Sequence, residues 1–339
     1  MAITRRSVIQ AAAGAAAAPF AAGAMAQDGT LKISHQFPSG TLTEGDFRDR
    51  LCRRFAADIE KRSNGALKAA VYPGSSLMKT NSQFSALRKG ALDLSLVPLS
   101  YAGGEVPETN IGLMPALVPN YEVGAAWKNA QVGKLLAKTL DERGVLIVSW
   151  IWQGGGVASK NAPLVAPADA KGMKVRGGSR EMDMMLKEAG ASVITLPSNE
   201  IYAAMQTGAM EAAMTSSTSF ISFKLEEIAK HLTTARKWAY WFMFEPLMIS
   251  KDVFYKLPKA HQDIIMAVGA EQEKFAQDAA RTDDKLVAEI YTKAGAKAYD
   301  IDGPTLAKWQ AIAKATAWKD FGERNETTKA LLAAAQQLL

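Results

Sequence analysis

Short runs of alternating apolar and polar residues are separated along this chain by longer stretches with helical spacing. Leu31–His35 alternates and stops at Pro38-Ser39-Gly40, which predicts a strand. From about Glu44 to Lys61, Leu51, Phe55 and Ile59 recur at i, i+4 and i+8, predicting a helix closed near Asn64-Gly65. Leu67–Tyr72 reads as a strand, Asn81–Lys89 as a short helix ending at Gly90, and Leu92–Val97 as a third strand. After a loop-rich stretch over 98–120 come a helix, Val123–Arg143, and an apolar strand, Val145–Ile151. Gln153-Gly154-Gly155-Gly156 breaks the pattern and Val157–Ser159 resumes it, the first candidate crossing between domains.

A second series follows. Met173–Arg176, Ser192–Leu196 and Met210–Thr215 read as strands, with helices over Glu181–Ala189 and Asn199–Thr207 between them. Residues 239–249, aromatic and apolar around Pro246, are the second candidate crossing, and Pro258 opens a long helix to about Lys293. Alternating units of this kind build open sheets flanked by helices. A length of 339 residues predicts about two domains. Two α/β lobes joined by two crossings leave a cleft, a usual place for a small ligand. The expected division is lobe I over 27–150 and about 240–280, lobe II over 151–239 and about 281–325, and a C-terminal helix over 326–339.

Residues 1–26 have a different character. Arg5-Arg6 precedes an Ala-rich stretch, and Ala24-Met25-Ala26 is a small-x-small cleavage site, so the mature chain is expected to begin at Gln27. The paired arginines resemble the twin-arginine class of bacterial export signals, which places the mature protein in the periplasm. No later apolar run is long enough to span a membrane: Trp238–Phe244 falls far short of the roughly 20 residues required.

Composition narrows the classes further. Hydrophobic residues make up 48% and charged residues 22%, as in a globular protein with a sizeable core. The formal charge is +6, and two of those charges belong to Arg5 and Arg6. The densest basic stretch, Arg48, Arg50, Arg53, Arg54, Lys61 and Arg62, is interrupted by Asp49, Asp58 and Glu60. It reads as a solvated helix face, not as a nucleic-acid surface. Cys52, the one cysteine, lies on the apolar stripe of the first helix and reads as a buried structural thiol.

Candidate chemistry is sparse. His35, His231 and His261 have no ligand-spaced partner, so no metal site is expected. There is no Gly-x-Ser-x-Gly elbow and no Walker pattern, and Gly154–Gly156 lacks the spacing of a dinucleotide loop. Glu226-Glu227 and Asp283-Asp284 fall on helical faces expected to be solvated. The positive signal is Arg176, which ends a strand before Gly177-Gly178. Ligands of open α/β sheets bind beyond the carboxyl ends of strands. A guanidinium there can take a carboxylate through two parallel hydrogen bonds. A surface salt bridge is the other reading of that residue.

Asp169-Ala-Lys-Gly-Met-Lys-Val-Arg176, Ala189-Gly-Ala191 and Pro197-Ser-Asn-Glu-Ile-Tyr-Ala-Ala-Met-Gln-Thr-Gly208 together resemble the solute-binding subunits of tripartite ATP-independent periplasmic (TRAP) transporters. Weaker echoes are His35, Gly90–Asp93 and Ser250–Pro258, and the resemblance covers the mature chain nearly end to end. It implies a two-lobed α/β periplasmic-binding-protein fold, each lobe a sheet flanked by helices, with a long helix shared by both. It implies that Arg176 pairs with a substrate carboxylate. The family's next ligand position usually reads V-D-G-x-x-N, whereas here Met210–Thr215 puts Glu211 for Asp and Thr215 for Asn. The second arginine that many members carry is absent from Trp150–Gly156.

The expected function is therefore capture of a small organic acid by hinge closure and delivery to a TRAP-type membrane transporter, with no enzymatic activity and no cofactor. A periplasmic enzyme or the binding subunit of an ATP-driven importer are the alternatives. The candidate ligand residues are Arg176, Thr215, Ser216, Trp152, Trp241, His35 and Phe37. The expected partners are the carboxylate and the transporter's membrane subunits, with no nucleic acid and a monomeric state. One cation and several aromatic residues favour a monocarboxylate with an apolar part, or a 2-oxo acid meeting Thr215 or Ser216. The competing case is a dicarboxylate that also uses a first-lobe residue such as His35.

Overall fold

Residues 29–339 are described by a computed structural model, and the segment read as an export signal lies outside them. The strands, in chain order, are β1 (Leu31–His35), β2 (Ala69–Tyr72), β3 (Leu94–Leu96), β4 (Val145–Ser149), β5 (Trp152–Ser159), β6 (Lys174–Arg176), β7 (Ser192–Val193), β8 (Ala212–Ser216), β9 (His231–Thr234), β10 (Trp241–Phe244), β11 (Leu247–Ser250) and β12 (Lys297–Asp300). They form two sheets. The first has the order β2-β1-β3-β11-β4, and the second β12-β9-β5-β8-β6-β7 with β10 also on β5. Parallel pairs dominate the start of the first sheet, and β11 enters it antiparallel between β3 and β4. β4 (VLIVS) and β11 (LMIS) are nearly continuous apolar runs, whereas β1 alternates, with Lys32 exposed.

The chain crosses between the sheets at Trp150-Ile151 and again at Glu245-Pro246, each time between two adjacent strands. Helix α1 (Phe47–Arg62), α2 (Gln131–Glu142), α3 (Ser217–Ser222), α4 (Lys259–Lys293) and α5 (Glu326–Gln336) matter most for the cleft. Pro258 stands at the N-cap of α4, as its fixed φ and missing N–H suit. From there α4 runs 35 residues against α1 and β4 of the first sheet and β5, β9 and β12 of the second. The fold is thus the two-lobed α/β arrangement expected, with one helix shared. The C-terminal α5 packs back on α2.

Several local expectations are corrected. The predicted helix Val123–Arg143 is broken: Tyr121–Ala126 and a 3-10 turn precede α2, with Ala130 extended between them. A Cβ on Gly133 would strike the Trp127 carbonyl, so this tight bend depends on glycine there. Gln153–Gly156 does not interrupt the strand. β5 runs straight through it, paired to β8 on one side and to β10 and β9 on the other. The glycines are needed because a Cβ on Gly155 would overlap the Thr215 carbonyl and the Trp241 ring, and one on Gly156 the Thr233 carbonyl. Asp284, read as solvated, is buried and accepts a hydrogen bond from the Tyr121 hydroxyl at 2.7 Å.

Candidate functional site

The carboxyl ends of β1, β6 and β8 and the chain after β3 converge where the lobes meet. Arg176 ends β6 and is only 1% exposed. Its Nε donates to the Leu196 carbonyl at 3.0 Å, Nη1 to the Met214 carbonyl at 2.7 Å and Nη2 to the Tyr101 hydroxyl at 2.8 Å. A guanidinium has five N–H donors, so one donor is left on each terminal nitrogen. No carboxylate among the described residues lies within ion-pair distance of it. A buried cation without a counter-ion is costly. Here neutral carbonyls hold it in place, and Asp183, a buried carboxylate that feels its charge, lies beyond ion-pair distance.

A second buried arginine is treated in the opposite way. Arg48, in the first turn of α1, is fully buried and not on a solvated face, because its helical phase matches Cys52, Phe55 and Ile59. Asp46, the N-cap of α1, accepts from its Nε at 2.9 Å and its Nη2 at 2.6 Å. Nη1 reaches Glu245 at 3.4 Å, at the second crossing. It also reaches across the cleft to the hydroxyls of Ser216 at 3.3 Å and Ser219 at 3.0 Å. Phe37 lies under it, with the guanidinium carbon 3.6 Å from the ring centroid, a cation–π contact. Burial alone would raise Asp46, but the charge and hydrogen bonds of Arg48 hold it below the ordinary carboxylate value.

The structure brings Arg176, Thr215, Ser216 and Trp241 together. β6 lies beside β8, with Arg176 opposite Ala213, so Thr215 and Ser216 continue past it. Trp241 donates its indole N–H to the Gly177 carbonyl at 3.0 Å. Phe37 and Ser216 meet at Arg48. His35 is turned inward: its Nδ1 accepts from the Phe37 N–H at 3.2 Å and its Nε2 donates to Asp49 at 3.1 Å. Both ring nitrogens are occupied within the first lobe, so His35 orients Phe37. Trp152 stands elsewhere. It faces away from Gln153 along β5 and packs with Trp127, Phe242 and Phe244, with ring centroids 4.9–6.2 Å away.

Besides Arg48, four participants are not singled out by the sequence. Tyr101, after β3, accepts from both Arg176 and the Ser198 N–H at 3.0 Å, joining the lobes. Gln36 directly follows β1 and is buried with neither amide atom partnered. The strand-end rule that singles out Arg176 also points to it. Gln153 and Glu245 meet each other on the face of β5 and β10 opposite Trp152. Further bonds close the cleft: Ser100 donates to the Gly178 carbonyl at 3.3 Å, Ser179 to the Leu113 carbonyl at 3.0 Å, and Thr80 to Asn199 at 3.4 Å. A cavity of about 350 Å³ between the lobes is lined by Ser100, Tyr101, Gly178 and Leu196; Arg176 lies behind Tyr101 and Leu196, which it bonds, and not on the cavity wall. No cluster with metal-ligand geometry occurs among the described residues.

Residues 34–325 match the family described as bacterial extracellular solute-binding protein, family 7, DctP. A solute-binding protein of Albidiferax ferrireducens is 65% identical over 337 residues, covering 99% of both chains. The C4-dicarboxylate-binding periplasmic protein DctP of Rhodobacter capsulatus is 24% identical over 91% of this chain and 92% of its own. Among solved structures, a TRAP periplasmic solute binding protein from Rhodoferax ferrireducens with bound malonate superposes with a TM-score of 0.90. It is 68% identical and covers 91% of this chain and 98% of that one. A buried arginine closed between two lobes thus stands in a chain whose kinship runs along almost its whole length, and the chain belongs to the family 7 extracellular solute-binding proteins, the solute-binding subunits of TRAP transporters.

Proposed function

We propose that this solute-binding protein captures a small dicarboxylate of the size of malonate and presents it, closed, to a TRAP-type membrane transporter. The observation that carries the reading is Arg176, buried, held by three neutral acceptors and lacking a counter-ion among the described residues. A ligand carboxylate supplies the missing charge and accepts the two remaining donors. The Tyr101 hydroxyl, already accepting twice, has its own proton to donate. Gln36 and Thr215 are proposed to hold the ligand's far end, and Ser216 and Phe37 to act through Arg48. Arg48 already has Asp46 and Glu245, so it orders the closed cleft.

A compact ligand is favoured over one with an aromatic body. Trp152 is engaged in the hinge cluster and Trp241 is fixed against Gly155 and Gly177, so neither is left to cover an apolar group. The 68% identical relative holds malonate. Binding shifts an open–closed equilibrium, since ligand contacts both lobes only when they meet. Melting curves with malonate, succinate and an aromatic monocarboxylate test this. At 100 times its dissociation constant a ligand adds about 2.7 kcal/mol. Malonate is expected to shift the curve most, and a larger shift with the aromatic acid would overturn the assignment.

The lobes are proposed to divide at the two crossings. Lobe I would comprise 29–150, 246 to about 280, and 326–339, and lobe II the remainder, which places β10 in lobe II and α5 in lobe I. The mature protein is proposed to be a periplasmic monomer that binds no nucleic acid and performs no catalysis. Export by the twin-arginine route is tested by replacing Arg5 and Arg6 with Lys. Loss of processing supports it, and normal processing assigns the general secretory route.

A further inference from the structure

Asp46, Arg48 and Glu245 are all closed off from solvent, and they set two carboxylates against one guanidinium. The two are not equivalent. Asp46 takes a bidentate grip on Arg48 and a bond from its backbone N–H at 2.9 Å. Glu245 has a single 3.4 Å contact with Arg48 and one with the Gln153 amide, both through Oε2, while Oε1 has no partner. The remaining neighbours add no positive charge. Gln153 of β5 is neutral, and Ser216 and Ser219 beside α3 are hydroxyls. On α4, Asp283, bonded to Thr218 at 2.7 Å, adds a further carboxylate, and burial pushes it up to about 6. On α1, Asp49 is already matched by Arg53 at 2.6 Å and by His35. Asp283 answers to its own burial; within the Asp46–Arg48–Glu245 set one negative charge is in excess, and in a dry site one proton cancels it.

We propose that Glu245 takes up a proton when the lobes close, so that capture of the organic anion is coupled to uptake of one proton. The proton comes from solvent and sits on Oε1, the unpartnered oxygen. The Gln153 amide oxygen, also buried and unpartnered, is an acceptor on the neighbouring side chain. The coupling follows from position. Glu245 lies where the chain passes from β10 in one sheet to β11 in the other. Arg48 reaches it from lobe I while bonding Ser216 and Ser219 of lobe II, so opening the cleft breaks the cluster and admits water. Burial raises Glu245 to about 7, against the opposing charge of Arg48, whereas a hydrated glutamate titrates near 4.3.

The sign follows. The closed form binds the proton more tightly, so the Glu245 contribution to affinity is largest at low pH, falls as pH rises between about 4.3 and about 7, and levels off above. The inference rests on the solute-binding reading above, and the test separates the two. Calorimetric titration of malonate at about pH 6, in buffers of differing ionisation enthalpy, counts protons taken up. Wild type is expected to take up close to one more proton than Glu245→Gln, since malonate's own ionisation is common to both. Equal uptake would overturn the proposal. In infrared spectra a carboxylic-acid band at that pH should vanish in Glu245→Gln. Glu181 and Asp283, other buried carboxyls raised to about 7 and about 6, are assigned separately through Glu181→Gln and Asp283→Asn. A wild-type chain that binds neither malonate nor succinate would count against the ligand class. The proton is then read in a chain held closed by a short thiol-reactive bridge between Thr80→Cys and Asn199→Cys, which meet across the cleft: a carboxylic-acid band at about pH 6 that Glu245→Gln alone removes supports it, and its absence overturns it.

Discussion

The Nη2 of Arg176 donates to the hydroxyl of Tyr101 at 2.8 Å across the cleft, joining the end of β6 in one sheet to the turn after β3 in the other. The same hydroxyl accepts from the Ser198 N–H at 3.0 Å, so one oxygen caps two donors of the opposite lobe. Tyr101→Phe removes it and leaves both donors unpaired in the closed form, at a cost of about 1–3 kcal/mol. Affinity for malonate is expected to fall by roughly that amount in calorimetry. The variant should also give a larger radius of gyration with subsaturating solute, and unchanged affinity would show that the contact is incidental.

Gly155 is where β5 passes closest to its neighbours. An added Cβ would meet the Thr215 carbonyl and the Trp241 ring, and neither can retreat without moving β8 or β10. Gly155→Ala is expected to destabilise by about 1–3 kcal/mol, the usual penalty for overpacking a filled interior. Denaturant unfolding measures it. A neutral result would mean that the strands are less tightly apposed than the register implies.

Asp300, at the end of β12, accepts from Thr234 at 2.7 Å and Arg236 at 2.6 Å and pairs with Lys237 at 3.1 Å. Partial burial would raise it, but these partners lower it to about 2. A depressed folded-state value means stability that is present above the unfolded value near 3.9 and lost as pH falls through about 2. Asp300→Asn is expected to cost about 1 kcal/mol at neutral pH, discounted for the exposure of its cationic partners. The melting curves of variant and wild type should converge in strong acid; a constant gap would assign the effect to packing.

Cys52 is fully buried, and burial pushes its thiol well above the ordinary range. Alkylating reagents are expected to leave it unmodified in the native chain and to react fully once denaturant unfolds it. Rapid native labelling at the same pH would place the first helix in a more open lobe than the one described.

Much of this organisation can be read from periodicity and chain punctuation. Leu31–His35 alternates because one lobe sheet begins there, Pro258 opens the shared helix, and the strand-end position of Arg176 points to a ligand. Arg48 escapes a reading that counts charges. It lies seven residues before Phe55 and eleven before Ile59, on the apolar face, but a cluster of arginines suggests solvent. Trp152 stands out as aromatic, yet the phase of β5 turns Gln153 into the cleft and Trp152 into the hinge. That phase is visible only once the strand is known to run through its glycines. Tyr101 lies in a 3-10 turn, which has no period to betray it.

The central claim is that the buried charge of Arg176 is reserved for a ligand carboxylate. Calorimetric titration of Arg176→Ala with malonate, beside wild type, tests it most directly. Removing the cation leaves a buried carboxylate without its partner, and affinity is expected to fall by about 2–5 kcal/mol. The melting temperature without solute is expected to fall, because the Leu196 and Met214 carbonyls lose their donor and a buried side chain is removed, so the titration is made on chain shown to be folded. A folded Arg176→Ala chain that binds malonate as tightly as wild type would contradict the account.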